Sequence, residues 1–167
     1  MALRTPTMDA EDIKVAHGCA KQLLADADTQ VEVPGLGDRT PRLLSRQALA
    51  GVIEPRVEEI FQLVQQVIRD SGFEELLSSG VVLTGGSAVM PGMVELGEDI
   101  FLKPVRRGVP KYSRALSDMV AQPRAATVMG LMEEARAARL RGYKVAQKTG
   151  GVQSAFGRLR DFIVGNF

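Results

Sequence analysis

The amino-acid sequence predicts a mixed α/β fold, and three features carry that expectation. Residues 80–84 (GVVLT) form a short apolar run of the kind buried in a sheet, and Gly85-Gly86 ends it ahead of a helical stretch. Residues 29–34 (TQVEVP) alternate, and the Gly-Leu-Gly-Asp sequence after them marks a turn. Leu49, Val52, Ile53, Val57, Ile60, Phe61, Val64, Val67 and Ile68 then recur at helical spacing and mark one face of a long amphipathic helix.

From the N-terminus, residues 9–27 open with acidic side chains suited to a helix start. They place Ile13, Ala16, Ala20, Leu23 and Leu24 at mostly helical spacing, with Gly18 weakening the second half. The segment 29–34 and a return strand at 41–46 (PRLLSR) make a small hairpin. The long helix follows, kinked or restarted at Pro55 and ended by Gly72, and residues 73–79 read as a short helix. After the strand and glycine turn, Pro91 suits the first position of a helix reaching about Leu102, and 104–107 supplies another short strand. The order is strand, glycine turn, helix, strand. Residues 124–140 are helical by composition, with Ala125, Val128, Met129 and Met132 on or near one side. Residues 141–153 mix Gly, Lys, Gln and Thr and read as a mobile linker, and helical patterning returns at 154–167.

Composition narrows the class. With 167 residues, 45% hydrophobic and 25% charged, the chain has the make-up of a globular protein able to bury a core. Its 21 basic and 20 acidic residues give a net charge of +1, without the positive excess of a nucleic-acid binder, so any electrostatic function is local and no nucleic-acid partner is expected. The single cysteine, Cys19, cannot form an internal disulfide and fits a reducing compartment, which makes the cytoplasm the expected location. Residues 1–12 carry one basic residue and no apolar run, unlike a signal or transit peptide, and no apolar stretch is long enough to span a bilayer.

Two constellations could carry ligand chemistry. Glu11 and Lys14, three apart, share a helix face one turn before Gly18. They could grip a ribose and an adenine edge, or form an ordinary solvated ion pair. In the run LTGGSAVMPG (83–92), a buried strand ends in Gly85 and Gly86 before a helix, an arrangement that lets backbone approach a flat or anionic ligand. The same run also suits a plain strand-to-helix turn. No phosphate-clamp lysine follows the glycines, so this is not a Walker motif. No cluster of metal-ligating residues is visible, and neither His17 nor Cys19 is assigned a catalytic role.

In this order, the two constellations resemble the adenosine-binding half of the actin, sugar-kinase and heat-shock-chaperone superfamily. Within it, AEDIKVAHGCA (10–20), VEVPG (31–35), PRLLSRQALAGVIEPR (41–56) and LTGGSAVMPG (83–92) are similar to the cell-division family FtsA. The resemblance implies a partial actin-like domain, second-half subdomains only, over 1–136. It implies Glu11, Lys14 and Gly18 at the ribose and adenine, and Gly85, Gly86, Ser87 and Met90 in the turn beneath the adenine. It places Arg42, Arg46 and Arg56 among the basic residues that bind the C-terminal peptide of FtsZ, although they also read as solvated arginines. Also implied are ATP with Mg2+ in the full-length family, self-association into filaments, and contact with other divisome proteins. The phosphate-binding hairpins and catalytic carboxylates of that family have no counterpart here, so the nucleotide site is expected to be incomplete, without ATPase activity.

The last segment adds a membrane expectation. On a helical wheel over 154–167, Phe156, Leu159, Ile163 and Phe167 cluster on one side with Phe162 flanking them, while Arg158 lies opposite and Arg160 near the apolar edge. A terminal helix that docks on its own domain would look similar. The linker, 137–153, and this tail are rich in basic residues, which favours an anionic membrane surface, peripheral on the inner face of the cytoplasmic membrane. The expected role is therefore a non-enzymatic adaptor holding the FtsZ ring to membrane. An MreB-like cytoskeletal protein, or an ATPase of the chaperone and sugar-kinase type, would share the glycine turn and the Glu-Lys helix.

Overall fold

The structure, a computed structural model, describes residues 3–111 and 120–142. Among the described residues, four helices and four strands follow the predicted α/β order. They are α1 (Thr7–His17), β1 (Gln30–Val33), β2 (Arg42–Ser45), α2 (Arg46–Asp70), β3 (Val81–Leu83), α3 (Met93–Phe101), β4 (Val105–Arg107) and α4 (Ala126–Leu140). Short 3-10 turns lie at Gln22–Leu24, Glu74–Leu76, Gly86–Val89 and Pro123–Ala125. Two compact units divide the chain, 1–130 and 131–167. All of the sheet and site geometry belongs to the first; the described part of the second is the remainder of α4 and the turn at 141–142.

The hairpin forms as its alternation requires. β1 and β2 pair antiparallel with Val31 opposite Leu44 and Val33 opposite Arg42; Val31 and Val33 are buried while Gln30 and Glu32 face out. The segment from 81 to 107 closes as a βαβ unit, with β3 and β4 parallel and Val81 paired with Val105. Two of the three apolar clusters among the described residues hold these pieces. Ile13, Val31, Val33 and Leu49 join α1, the hairpin and the start of α2, whereas Ala20, Val57, Phe61, Met93, Leu96, Phe101 and Val105 join α2 to the βαβ unit. The Phe61 and Phe101 rings sit 5.3 Å apart at an inclined angle of 45°.

Several boundaries differ from the sequence expectation. α1 stops at His17 because Gly18 leaves the helix with extended dihedrals (φ −58°, ψ 142°), and residues 22–24 make only a 3-10 turn. α2 runs unbroken for 25 residues with Pro55 inside it. Its stripe is also wider than its contact: Leu49, Val57 and Phe61 are buried and Ile53 and Ile68 partly so, whereas Val52, Ile60, Val64 and Val67 stay exposed. Residues 73–79 supply a 3-10 turn at 74–76 rather than a helix. α3 starts at Met93, not Pro91, because Gly92 turns left-handed (φ +82°) and the Pro91 carbonyl accepts instead from the Ala20 N–H at 2.8 Å. Helix α4 ends at Leu140 as expected but starts at Ala126, because residues 123–125 form a 3-10 turn, and its last turn overlaps the start of the expected 137–153 linker. The tail over 154–167 and most of the expected linker lie outside the described residues.

Candidate functional site

α1 brings Glu11, Lys14 and Gly18 to one side because they stand at three- and four-residue spacing. Lys14 Nζ donates to Glu11 Oε2 at 2.5 Å, a partly exposed pair. Gly18 closes the helix with its N–H on the Lys14 carbonyl at 2.9 Å. A Cβ there would stand 2.3 Å from that carbonyl oxygen and 3.2 Å from Met90 Cε, so only glycine lets the end of α1 meet the glycine turn.

The turn itself begins at Gly85, whose dihedrals (φ +93°, ψ 176°) are open to glycine and costly for other residues. Its N–H donates to the Pro123 carbonyl at 2.9 Å. Gly86 to Val89 then coil as a 3-10 turn, and a Cβ on Gly86 would meet nothing within 4 Å. Gly86 is one of the residues lining a cavity of about 310 Å³, together with Glu11, Lys14, Val15, Gly18, Ser87, Val89, Met90, Pro91 and Arg124. Its size falls at the lower end of small-molecule sites, roughly 300–1,000 Å³. Val15, Val89, Met90 and Pro91 give it apolar surface, while Glu11, Lys14, Ser87 and Arg124 supply polar groups.

Six of the seven residues expected around a nucleoside therefore share one cavity: Glu11, Lys14, Gly18, Gly86, Ser87 and Met90. Gly85 shapes the cavity without lining it. Arg124 is the polar group that sequence reading missed, since it stood there only as the first residue of a helix. Nothing local marks it; the Gly85 bond to Pro123 puts it in place. Among the described residues no group of three His, Cys, Asp or Glu side chains is arranged to hold a metal ion.

The three arginines expected at a peptide surface do not share a local arrangement. Arg42, on β2, donates to the Leu3 carbonyl at 2.6 Å. Arg46 opens α2 half-buried, its Nε donating to the His17 carbonyl at 3.1 Å. Arg56 pairs with Glu59 one turn on and is exposed. The tail residues Phe156, Arg158, Leu159, Arg160, Phe162, Ile163 and Phe167 lie outside the described residues. No described helix is long and apolar enough to cross a membrane.

Comparison with known proteins places these features in context. A family model described as "Cell division protein FtsA" matches residues 1–130. A protein of that name from Pseudomonas aeruginosa is 54% identical over 132 residues, covering 79% of this chain and 32% of the relative. One from Neisseria meningitidis is 41% identical over 173 residues, covering 99% of this chain and 41% of the relative. One from Escherichia coli is 39% identical over 171 residues, covering 97% and 41%. The chain thus spans well under half the length of these relatives.

Proposed function

On the premise that the chain belongs to the FtsA family of cell-division proteins, we propose that it is a division adaptor whose cavity at α1 and the glycine turn holds the nucleoside of ATP. One observation carries this reading: two segments far apart in sequence, 11–18 and 86–91, converge on a cavity of nucleoside scale. The residues fit the group. Gly86 leaves open space where a side chain would stand, Gly18 lets the end of α1 close against Met90, Met90 and Val89 offer apolar surface to a base, and Glu11, Lys14 and Ser87 offer hydrogen-bonding groups to a ribose. ATP, with its Mg2+, would supply a state-dependent link to polymerisation in the longer protein rather than a reaction catalysed by these residues.

The adaptor role adds two partners. Exposed Arg42 and Arg56 are suited to an acidic peptide such as the FtsZ C-terminus, while half-buried Arg46 serves chiefly to join α1 to α2. The basic, amphipathic tail suits the anionic inner face of the cytoplasmic membrane, and the alignment covering 99% of the chain gives that tail a counterpart in a relative. Self-association would place many tails on one surface, and other divisome proteins would join the same assembly.

Titration calorimetry with ATP and with adenosine tests the cavity. The unaltered chain should bind both, and Gly86→Phe should bind neither, because the new ring enters open space that a ligand would need. The substitution meets no backbone strain, so the melting curve should be nearly unchanged. Undiminished ATP binding by Gly86→Phe would put the nucleotide elsewhere. Retention of the chain by an immobilised FtsZ C-terminal peptide is the matching test of the adaptor role, and failure to retain it would remove that partner.

A further inference from the structure

The family motifs supply α1 and the glycine turn, but part of the cavity lining comes from a third element. Pro123–Ala125 packs against the Gly86–Val89 turn, and Arg124 joins the lining from there. Its backbone is fixed at three points. The Gly85 N–H donates to the Pro123 carbonyl at 2.9 Å, the Thr84 hydroxyl is shared between the Pro123 and Gly108 carbonyls at 3.2 and 3.3 Å, and the Ala125 N–H donates to the Gln122 carbonyl at 3.0 Å. The proline ring also fixes φ at the buried residue before Arg124. These bonds fix the backbone on either side of Arg124, so its exposed side chain starts at the border of the cavity that it lines.

Charge and chemistry say what it can do there. Glu11 and Lys14 largely neutralise one another, and among the described residues no ion pair involves Arg124. The guanidinium is planar and weakly hydrated, so it stacks on aromatic faces as readily as it pairs with anions. No aromatic side chain is among the lining residues to cover a base. We infer that Arg124 lays its guanidinium on the base of the bound nucleotide, and that Gly85 and Thr84 are its positioning residues. This inference rests on the nucleoside reading of the cavity given above.

Calorimetry with adenosine and with ATP, on the full 167-residue chain, tests it. Arg124→Ala should weaken both ligands by roughly tenfold, the scale of a partly desolvated cation–π contact. Arg124→Lys should recover little, since lysine keeps the charge without the plane. A loss confined to ATP and recovered by Arg124→Lys would overturn the stacking role in favour of a phosphate contact. Unchanged affinities in Arg124→Ala would overturn it outright. Thr84→Val should weaken adenosine binding in the unaltered chain and add nothing in an Arg124→Ala background; equal losses in both backgrounds would overturn its positioning role. If the unaltered chain binds neither ligand, the nucleoside reading fails and takes this inference with it. If it binds both while Gly86→Phe does not, normal binding by the Arg124 variants sinks this inference alone.

Discussion

Between α1 and α3, single residues work by close approach. A Cβ on Gly92 would stand 2.7 Å from the Lys21 backbone nitrogen, so the Ala20–Lys21 backbone can lie against the turn only because position 92 has no side chain. Lys21 then reaches across that contact, donating from Nζ to Asp99 at 2.6 Å. The Asp99 hydrogen bond raises the Lys21 pKa above its ordinary 10.5, partly opposed by burial and assisted by the charges of Asp99, Glu54 and Glu95. Because the folded value lies above the unfolded one, this contribution is fully present below pH 10.5 and is lost as pH rises through the folded value. Urea unfolding followed across that range should show stability falling, and Asp99→Asn should flatten the fall. Equal alkaline slopes for the two proteins would count against the link. Among the site residues, those in the two motifs were legible because local spacing and glycine chemistry mark them. Arg124 was not, since its position depends on a hydrogen bond from Gly85, 38 positions before Pro123.

Elements were more legible than their ends. The alternation of β1 and the long period of α2 survive into the structure, because each pattern is itself the cause of burial. The apolar run expected to be a buried strand forms β3 with Val81 and Leu83 only partly buried and Val82 exposed, since among the described residues β3 pairs with β4 alone in a two-stranded sheet. Ends depend on partners far along the chain, and Pro91 shows why: a favourable first residue for a helix was drawn out of it by the Ala20 N–H. The α2 stripe shows the same limit in breadth. The row 49, 53, 57, 61 packs, and Gln65 continues it by donating to the Ile100 carbonyl at 2.7 Å, while apolar residues beside the row remain exposed. The start of α2 has a local cause. Ser45 Oγ accepts from the Ala48 N–H at 3.1 Å, so β2 passes directly into the helix through its cap. Ser45→Ala should cost about 1 kcal/mol in urea unfolding without altering the hairpin, and a midpoint identical to that of the unaltered chain would show that the cap contributes nothing.

At the scale of the whole molecule, the proposed adaptor must join a folded domain to a surface, and the sequence gives the tail two independent means. From Arg136 onward, seven basic residues stand against Asp161 alone. Phe156, Leu159, Phe162, Ile163 and Phe167 add apolar bulk. Each large side chain buried in lipid contributes roughly 1.5–3 kcal/mol at most, and each basic residue near an anionic leaflet about 1 kcal/mol. Ordering the backbone costs roughly 1–2 kcal/mol per residue, so one tail should bind weakly and reversibly, and many tails on one assembly should hold far better by effective concentration. Deleting residues 154–167 should therefore abolish co-sedimentation with anionic vesicles while leaving the melting curve of the remaining chain unchanged. Replacing Phe156, Phe162 and Phe167 with Glu should do nearly the same, because apolar burial is lost and repulsion from the leaflet is gained. Arg158→Ala with Arg160→Ala should weaken binding only in part and make the remainder less sensitive to salt, since the screened contribution has shrunk while the apolar one persists. If the shortened chain sediments with vesicles as well as the intact one, the membrane contact lies in the folded domain and the tail serves another purpose.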